Sequence, residues 1–130
     1  AVAELNTALA LQPGYIGAEA DLGRALVLQG QDEAALPHLL FVLRKMPNHS
    51  AANLYVGRVL MQQGHIQEAV DYINRAVAVE PTYAEAHYFL AVALSKEGKG
   101  QEAQAEYAIT TQLWPGLVEQ LNSARQAANP

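Results

Sequence analysis

Residues able to do chemistry are sparse in this chain and badly placed for it. The four histidines are His38, His49, His65 and His87, and no two stand at the i, i+4 spacing that puts a ligand pair on one helix face. No carboxylate cluster completes a ligand set beside any of them, and cysteine is absent. The serines Ser50, Ser95 and Ser123 lack the G-x-S-x-G context of a nucleophile elbow. Neither a phosphate-binding loop nor a dinucleotide fingerprint occurs. The acidic residues are dispersed, whereas acid–base catalysis needs a buried pair in a cleft. The expectation is a protein that is not an enzyme, with no catalytic residue, no metal and no cofactor. Its histidines are expected to lie scattered on the surface or in a groove, with His49 and His87 near repeat boundaries where a ligand could be touched.

What remains is recognition, and composition narrows the partner. The 130 residues carry 13 Asp and Glu against 8 Lys and Arg, a net charge of −5. Nucleic acid and anionic membrane surfaces both demand a basic face, so neither is expected. No apolar run approaches the ~20 residues that span a bilayer; the longest is Leu39-Leu40-Phe41-Val42-Leu43. At 51% hydrophobic residues the chain can build a sizeable core. The lack of cysteine removes a disulfide framework without choosing between the cytoplasm and an oxidising compartment.

The elements that would position any recognition residues are set by a repeat. Pro13, Pro47, Pro81 and Pro115 recur every 34 residues. Gly30, Gly64 and Gly98 keep the same step, as do Ala1, Ala35, Ala69 and Ala103. So do Gly23, Gly57 and Ala91, and Leu26, Leu60 and Leu94. The first glycine column suits helix C-termini, where φ must turn positive. The prolines suit the end of each second helix, where the chain must stop being helical. The mid-helix glycines cost about 1 kcal/mol each relative to alanine, which is tolerated where two helices approach closely.

The pattern predicts eight helices, at 1–12, 16–29, 33–45, 50–63, 67–79, 84–97, 101–113 and 117–127. Thr82 and Glu85 read as a capping box, with Ser50 and Asp32 as further N-caps. Pro37, inside the third helix, predicts a small kink or a tightened first turn. Short connections make neighbouring helices antiparallel.

These columns resemble the tetratricopeptide repeat, whose 34-residue pattern is W-x2-L-G-x2-Y…A-x3-F…P. Here it reads Glu19-x2-Leu22-Gly23-x2-Leu26…Ala35-x3-Leu39…Pro47, then Asn53-x2-Val56-Gly57-x2-Leu60…Ala69-x3-Ile73…Pro81, then His87-x2-Leu90-Ala91-x2-Leu94…Ala103-x3-Tyr107…Pro115. The opening Trp is replaced in all three units. The resemblance implies an all-α, right-handed α-solenoid of stacked antiparallel helix pairs. It divides one domain into full repeats at 16–49, 50–83 and 84–117. Residues 1–15 match the second half of a truncated repeat, so the chain is read as a fragment of a longer protein. Residues 118–130 would be a solvating end helix, its outer face made polar by Glu119, Gln120, Asn122 and Gln126.

The resemblance further implies a concave wall built by the first helix of each pair, holding a segment of another protein. The residues it would offer there are Gly17, Ala20, Arg24, Val27 and Leu28; Ala51, Leu54, Arg58, Met61 and Gln62; and Glu85, Tyr88, Val92, Ser95 and Lys96. The expected partner is an extended peptide or helix with apolar anchors and an acidic group for Arg24 and Arg58. Self-assembly into a homo-oligomer, or docking within a multidomain enzyme, are the alternatives. Co-chaperones of this family grip the acidic C-terminus of heat-shock chaperones with a Lys/Asn/Asn/Lys/Arg clamp. Those places hold Ala20, Arg24, Tyr55, Glu85 and Phe89 here, and Glu85 would repel the carboxylate, so that function is rejected. A second apolar surface is expected at Pro37, Leu40 and Phe41, one face of the third helix.

Overall fold

A computed structural model of the chain describes residues 1–128. Among these residues it consists of helices and turns: α1 (Val2–Leu11), α2 (Ile16–Leu28), α3 (Asp32–Lys45), α4 (Ser50–Gln62), α5 (Ile66–Val79), α6 (Ala84–Lys96), α7 (Gly100–Leu113) and α8 (Leu117–Ala128). Helices α2/α3, α4/α5 and α6/α7 pair as hairpins, and the hairpins stack in chain order into a solenoid. The core runs as one apolar cluster from Ala20 to Ala103 along the stack.

Each hairpin is closed by the same device. At Gly30 (φ +78°) the amide donates to the Val27 carbonyl, and the amide of Gln31 donates to Leu26. The same two bonds recur at Gly64/His65 onto Met61 and Leu60, and at Gly98/Lys99 onto Ser95 and Leu94. This is the Schellman arrangement, and it satisfies carbonyls that the helix end leaves orphaned. Its leucine acceptors are one of the repeat columns read from sequence.

The hairpins are narrow because of the second glycine column. A Cβ added at Gly23 would lie 2.6 Å from Leu39 Cγ, and one at Gly57 would lie 2.5 Å from Ile73 Cγ1 and 3.2 Å from the Ala69 carbonyl. Ala35, Ala69, Leu39 and Ile73 are correspondingly buried. In the third hairpin Ala91 takes the slot, and it too is fully buried.

The position that carries Trp in the family pattern is filled by polar staples. Asn53 Nδ2 donates to the carbonyls of Pro47 and His49 (3.0 and 3.1 Å). His87 does the equivalent, its Nε2 meeting the Pro81 carbonyl at 2.7 Å, while Nδ1 meets Glu106 Oε2 of α7 at 2.6 Å. In the first hairpin the pair is reversed, with Glu19 of α2 meeting His38 of α3. The expectation of scattered surface or groove histidines is therefore corrected for His87, which is buried and braces a hairpin, and for His38, which is half-buried in an ion pair.

The expected caps also differ. Residues Tyr15, His49 and Tyr83 are the N-caps of α2, α4 and α6, and only His49 caps through its side chain, Nδ1 accepting from the Ala52 amide. Ser50 and Asp32 are the first helical residues of α4 and α3 rather than caps, and Thr82 lies one residue before the N-cap of α6. Each four-residue turn holds its proline in second place and puts the N-cap one residue past Thr82 and its counterparts, where an aromatic or imidazole ring stands. Helix α3 runs on through Pro37. Glu33 and Pro37 are both exposed, so the carbonyl deprived of its donor can turn to water.

Two stability outcomes are expected. Gly57→Ala should destabilise by about 1–3 kcal/mol through overpacking, despite its better helix propensity. Ala91→Gly should cost only about 1 kcal/mol, the propensity difference alone; urea denaturation of both variants measures the contrast. His87→Glu or Glu106→His alone should cost about 2–4 kcal/mol by leaving like groups facing each other. The double change, which copies the Glu19–His38 polarity, should recover at least half of that in the same measurement.

Candidate recognition groove

One groove of about 490 Å³ runs along the inner wall of the solenoid. Its lining comes from the first helix of each pair: Arg24, Val27 and Leu28 of α2; Tyr55, Arg58, Met61 and Gln62 of α4; Glu85, Phe89, Val92 and Lys96 of α6. Gly30 and Asp32 close one edge, and Leu121, Ala124 and Arg125 of α8 close the far end.

Of the fifteen groove residues read from sequence, Gly17, Ala20, Ala51 and Ser95 fall outside this lining, whereas Arg24, Val27, Leu28, Arg58, Met61, Gln62, Glu85, Val92 and Lys96 lie on this wall. Leu54 and Tyr88 do not. Both are fully buried in the core. They occupy one register position, on the flank of each first helix that packs against the neighbouring repeat, so the predicted stripe reached one residue too far around the helix. The expected outer polar face of α8 needs a similar correction: Asn122 is half-buried and its Oδ1 accepts from the Tyr88 hydroxyl at 2.6 Å. The apolar surface expected on α3 is split. Pro37 and Leu40 are exposed, but the Phe41 ring turns toward Gly14 and lies beneath Arg44 and Lys45 at 5.7 and 5.8 Å.

The groove's arginines are held by aromatic residues that the stripe did not include. Arg24 Nε donates to the Tyr55 hydroxyl at 3.1 Å. The Arg58 guanidinium lies 4.1 Å from the Phe89 ring centroid and 5.1 Å from that of Tyr55. Each arginine thus reaches the first helix of the following repeat, to an aromatic 31 residues ahead. That constant offset is the signal by which Tyr55 and Phe89 could have been found. A guanidinium stacked on a ring keeps its edge donors free for a ligand, and fixing it beforehand lowers the entropy lost on binding.

Charge is distributed unevenly between groove and chain. Four of the eight Lys and Arg residues line the groove, against two of the thirteen Asp and Glu, Asp32 and Glu85. The hydrogen bond to Tyr55, the electrostatic pull of that oxygen and then Glu85 hold Arg24 even more firmly protonated than an ordinary guanidinium. Partial burial raises the Asp32 carboxyl, and the charge of Arg58 works against that. Tyr83, beside the groove edge, is pushed well above the usual phenol range by burial, with Tyr55 and Glu85 adding to the shift. The Tyr83 phenol is therefore a neutral hydroxyl at every physiological pH. Among the described residues no group of three or more His, Cys, Asp or Glu side chains could hold a metal ion, and no helix is long and apolar enough to cross a membrane.

Comparison with known proteins agrees with this architecture. The family model described as Tetratricopeptide repeat matches twice, over residues 20–78 and 57–117. A search of curated protein sequences gives no match. Among solved structures, a crystal structure of MamA superposes with a TM-score of 0.76 at 23% identity, covering 88% of this chain and 67% of that one. A second MamA structure gives 0.75 at 23% identity, covering 89% and 63%. MamA residues 41 to the end from Desulfovibrio magneticus RS-1 gives 0.74 at 20% identity, covering 86% and 63%. The chain thus spans about two thirds of the length of these relatives, and at such identities the likeness speaks for the fold alone. With both family matches lying over the stacked hairpins, the chain belongs to the tetratricopeptide repeat family.

Proposed function

We propose that the chain is a protein–protein interaction module that takes an acidic segment with apolar anchors into its groove. Family membership supports the general role. The observation that carries the specific reading is the concentration of half of an acidic protein's basic residues along one groove, with Arg24 and Arg58 fixed against Tyr55 and Phe89. A carboxylate bridging the two guanidiniums would gain charge-assisted hydrogen bonds, and steering by the positive wall would raise the association rate. Leu28, 56% exposed at the groove edge, offers the apolar contact that a partner would cover. Aromatic, Met and Arg side chains are the types that carry most of the energy at such interfaces.

Selection from a phage-displayed library of random peptides tests this reading. The enriched peptides should combine Asp or Glu with aliphatic or aromatic residues. Their affinity for an Arg24→Ala/Arg58→Ala variant should fall by about tenfold or more for each arginine removed, roughly the worth of one charged hydrogen bond. Enriched peptides without acidic residues, or equal affinity for the variant, would count against it. A second copy of the chain as the ligand is the competing outcome. It would appear as a concentration-dependent mass in light scattering that the same two substitutions abolish.

A further inference from the structure

Helix α8 stands where the first helix of another hairpin would begin, but it is out of register. The turns leading into α2, α4 and α6 have four residues, and the turn leading into α8 has three. Gly116 takes that corner at φ +89°. Beginning one residue sooner after its proline turns the faces of α8 by about 100° relative to the repeat register. The consequence is visible in what α8 shows to the groove, namely Leu121, Ala124 and Arg125. Their register counterparts on α6 are His87, Leu90 and Ala91, all buried, with His87 bound to Glu106 of α7. The face that on α6 meets a second helix is, on α8, turned toward the groove. Arg125 also occupies the slot held by Gly23, Gly57 and Ala91. At the two glycines even one added carbon would clash with the second helix, so an arginine could not pack under one in the same way.

The attachment of α8 is uneven. Leu117 is buried at the hinge end, but from Val118 to Ala127 the helix is half-buried or exposed. It packs on α7 far more lightly than α2, α4 and α6 pack on the helices before them. Its distal hold includes a polar latch, with the Tyr88 hydroxyl donating to Asn122 Oδ1 at 2.6 Å and Arg125 Nη1 donating to the same hydroxyl at 3.2 Å. The latch stands beside the part of the groove formed by Phe89, Val92 and Lys96.

We propose that α8 is a displaceable lid, hinged at Gly116, that occupies one end of the groove until a partner competes it away. The proposal rests on the groove being the binding site. Closure lowers apparent affinity in proportion to the fraction of molecules that are open, so loosening the lid tightens binding without adding a contact. A partner that binds the closed form would leave α8 in place.

Anilinonaphthalene sulfonate combines an anionic group with apolar rings and serves as the probe on the full chain. Its affinity is read by fluorescence for the wild type, for Leu121→Ser/Asn122→Ala, and for both backgrounds carrying Arg58→Ala. Hydrogen exchange across residues 119–127 is read with and without probe. The lid predicts binding about threefold to tenfold tighter in the loosened variant, loss of that gain with Arg58→Ala, and faster exchange in α8 when the wild type binds probe. Arg58-dependent binding of equal strength in both backgrounds, a gain that survives Arg58→Ala, or α8 exchange unchanged by probe would each overturn the lid. Wild-type binding indifferent to Arg58 would instead strike at the groove reading itself.

Discussion

The fold depends on how closely two helices can lie within one hairpin. At Gly23 and Gly57 a leucine or isoleucine of the second helix sits where a Cβ would otherwise be, and in the third hairpin the fully buried Ala91 takes that slot. That contact limits how far apart the two helices of a hairpin lie, and the 34-residue step repeats it along the stack. Propensity opposes glycine in a helix interior, so its presence at this slot records that packing outweighs it. The Schellman turn at the end of each first helix fixes the angle at which the second helix returns. The histidine–carboxylate pairs and the Asn53 staple then tie the start of each first helix either to its partner helix or to the preceding turn.

Equal hairpins leave their first helices side by side, and that is what makes a wall. A side chain placed once per repeat becomes a row, so Arg24 and Arg58 come to adjoin the aromatic residues one repeat ahead. The spacing within a repeat is local, but the pairing of arginine with ring exists only after stacking. If the groove takes an acidic segment as proposed, the excess of negative charge elsewhere on the chain would favour correct orientation before contact.

The repeat, the helix order and the positions of the closing glycines could be read directly from residue types, because backbone conformation and close approach leave few alternatives to glycine and proline. The groove was read less completely. Arg24, Arg58 and their neighbours fell on the expected stripe, while Leu54 and Tyr88 fell into the core, because a helix stripe defined by spacing alone does not say where the neighbouring repeat begins to cover it. Tyr55 and Phe89 were placed on the wall only as occupants of clamp positions, and their hold on the arginines went unread because it depends on an arginine in the previous repeat. The histidines looked scattered because their carboxylate partners stand 19 residues away and in opposite order in the first and third hairpins. The turned face of α8 was hidden in a helix that begins one residue sooner after its proline than the others do.

Alternate helices line one continuous inner surface. Because the chain lacks cysteine, a nitroxide can be placed on a single Gln62→Cys side chain and its paramagnetic broadening mapped over the amide resonances. The account predicts strong broadening at Leu28, Gly30, Val92 and Lys96, with Leu40, Asp71 and Arg75 spared. Broadening centred on α3 and α5 instead would contradict it.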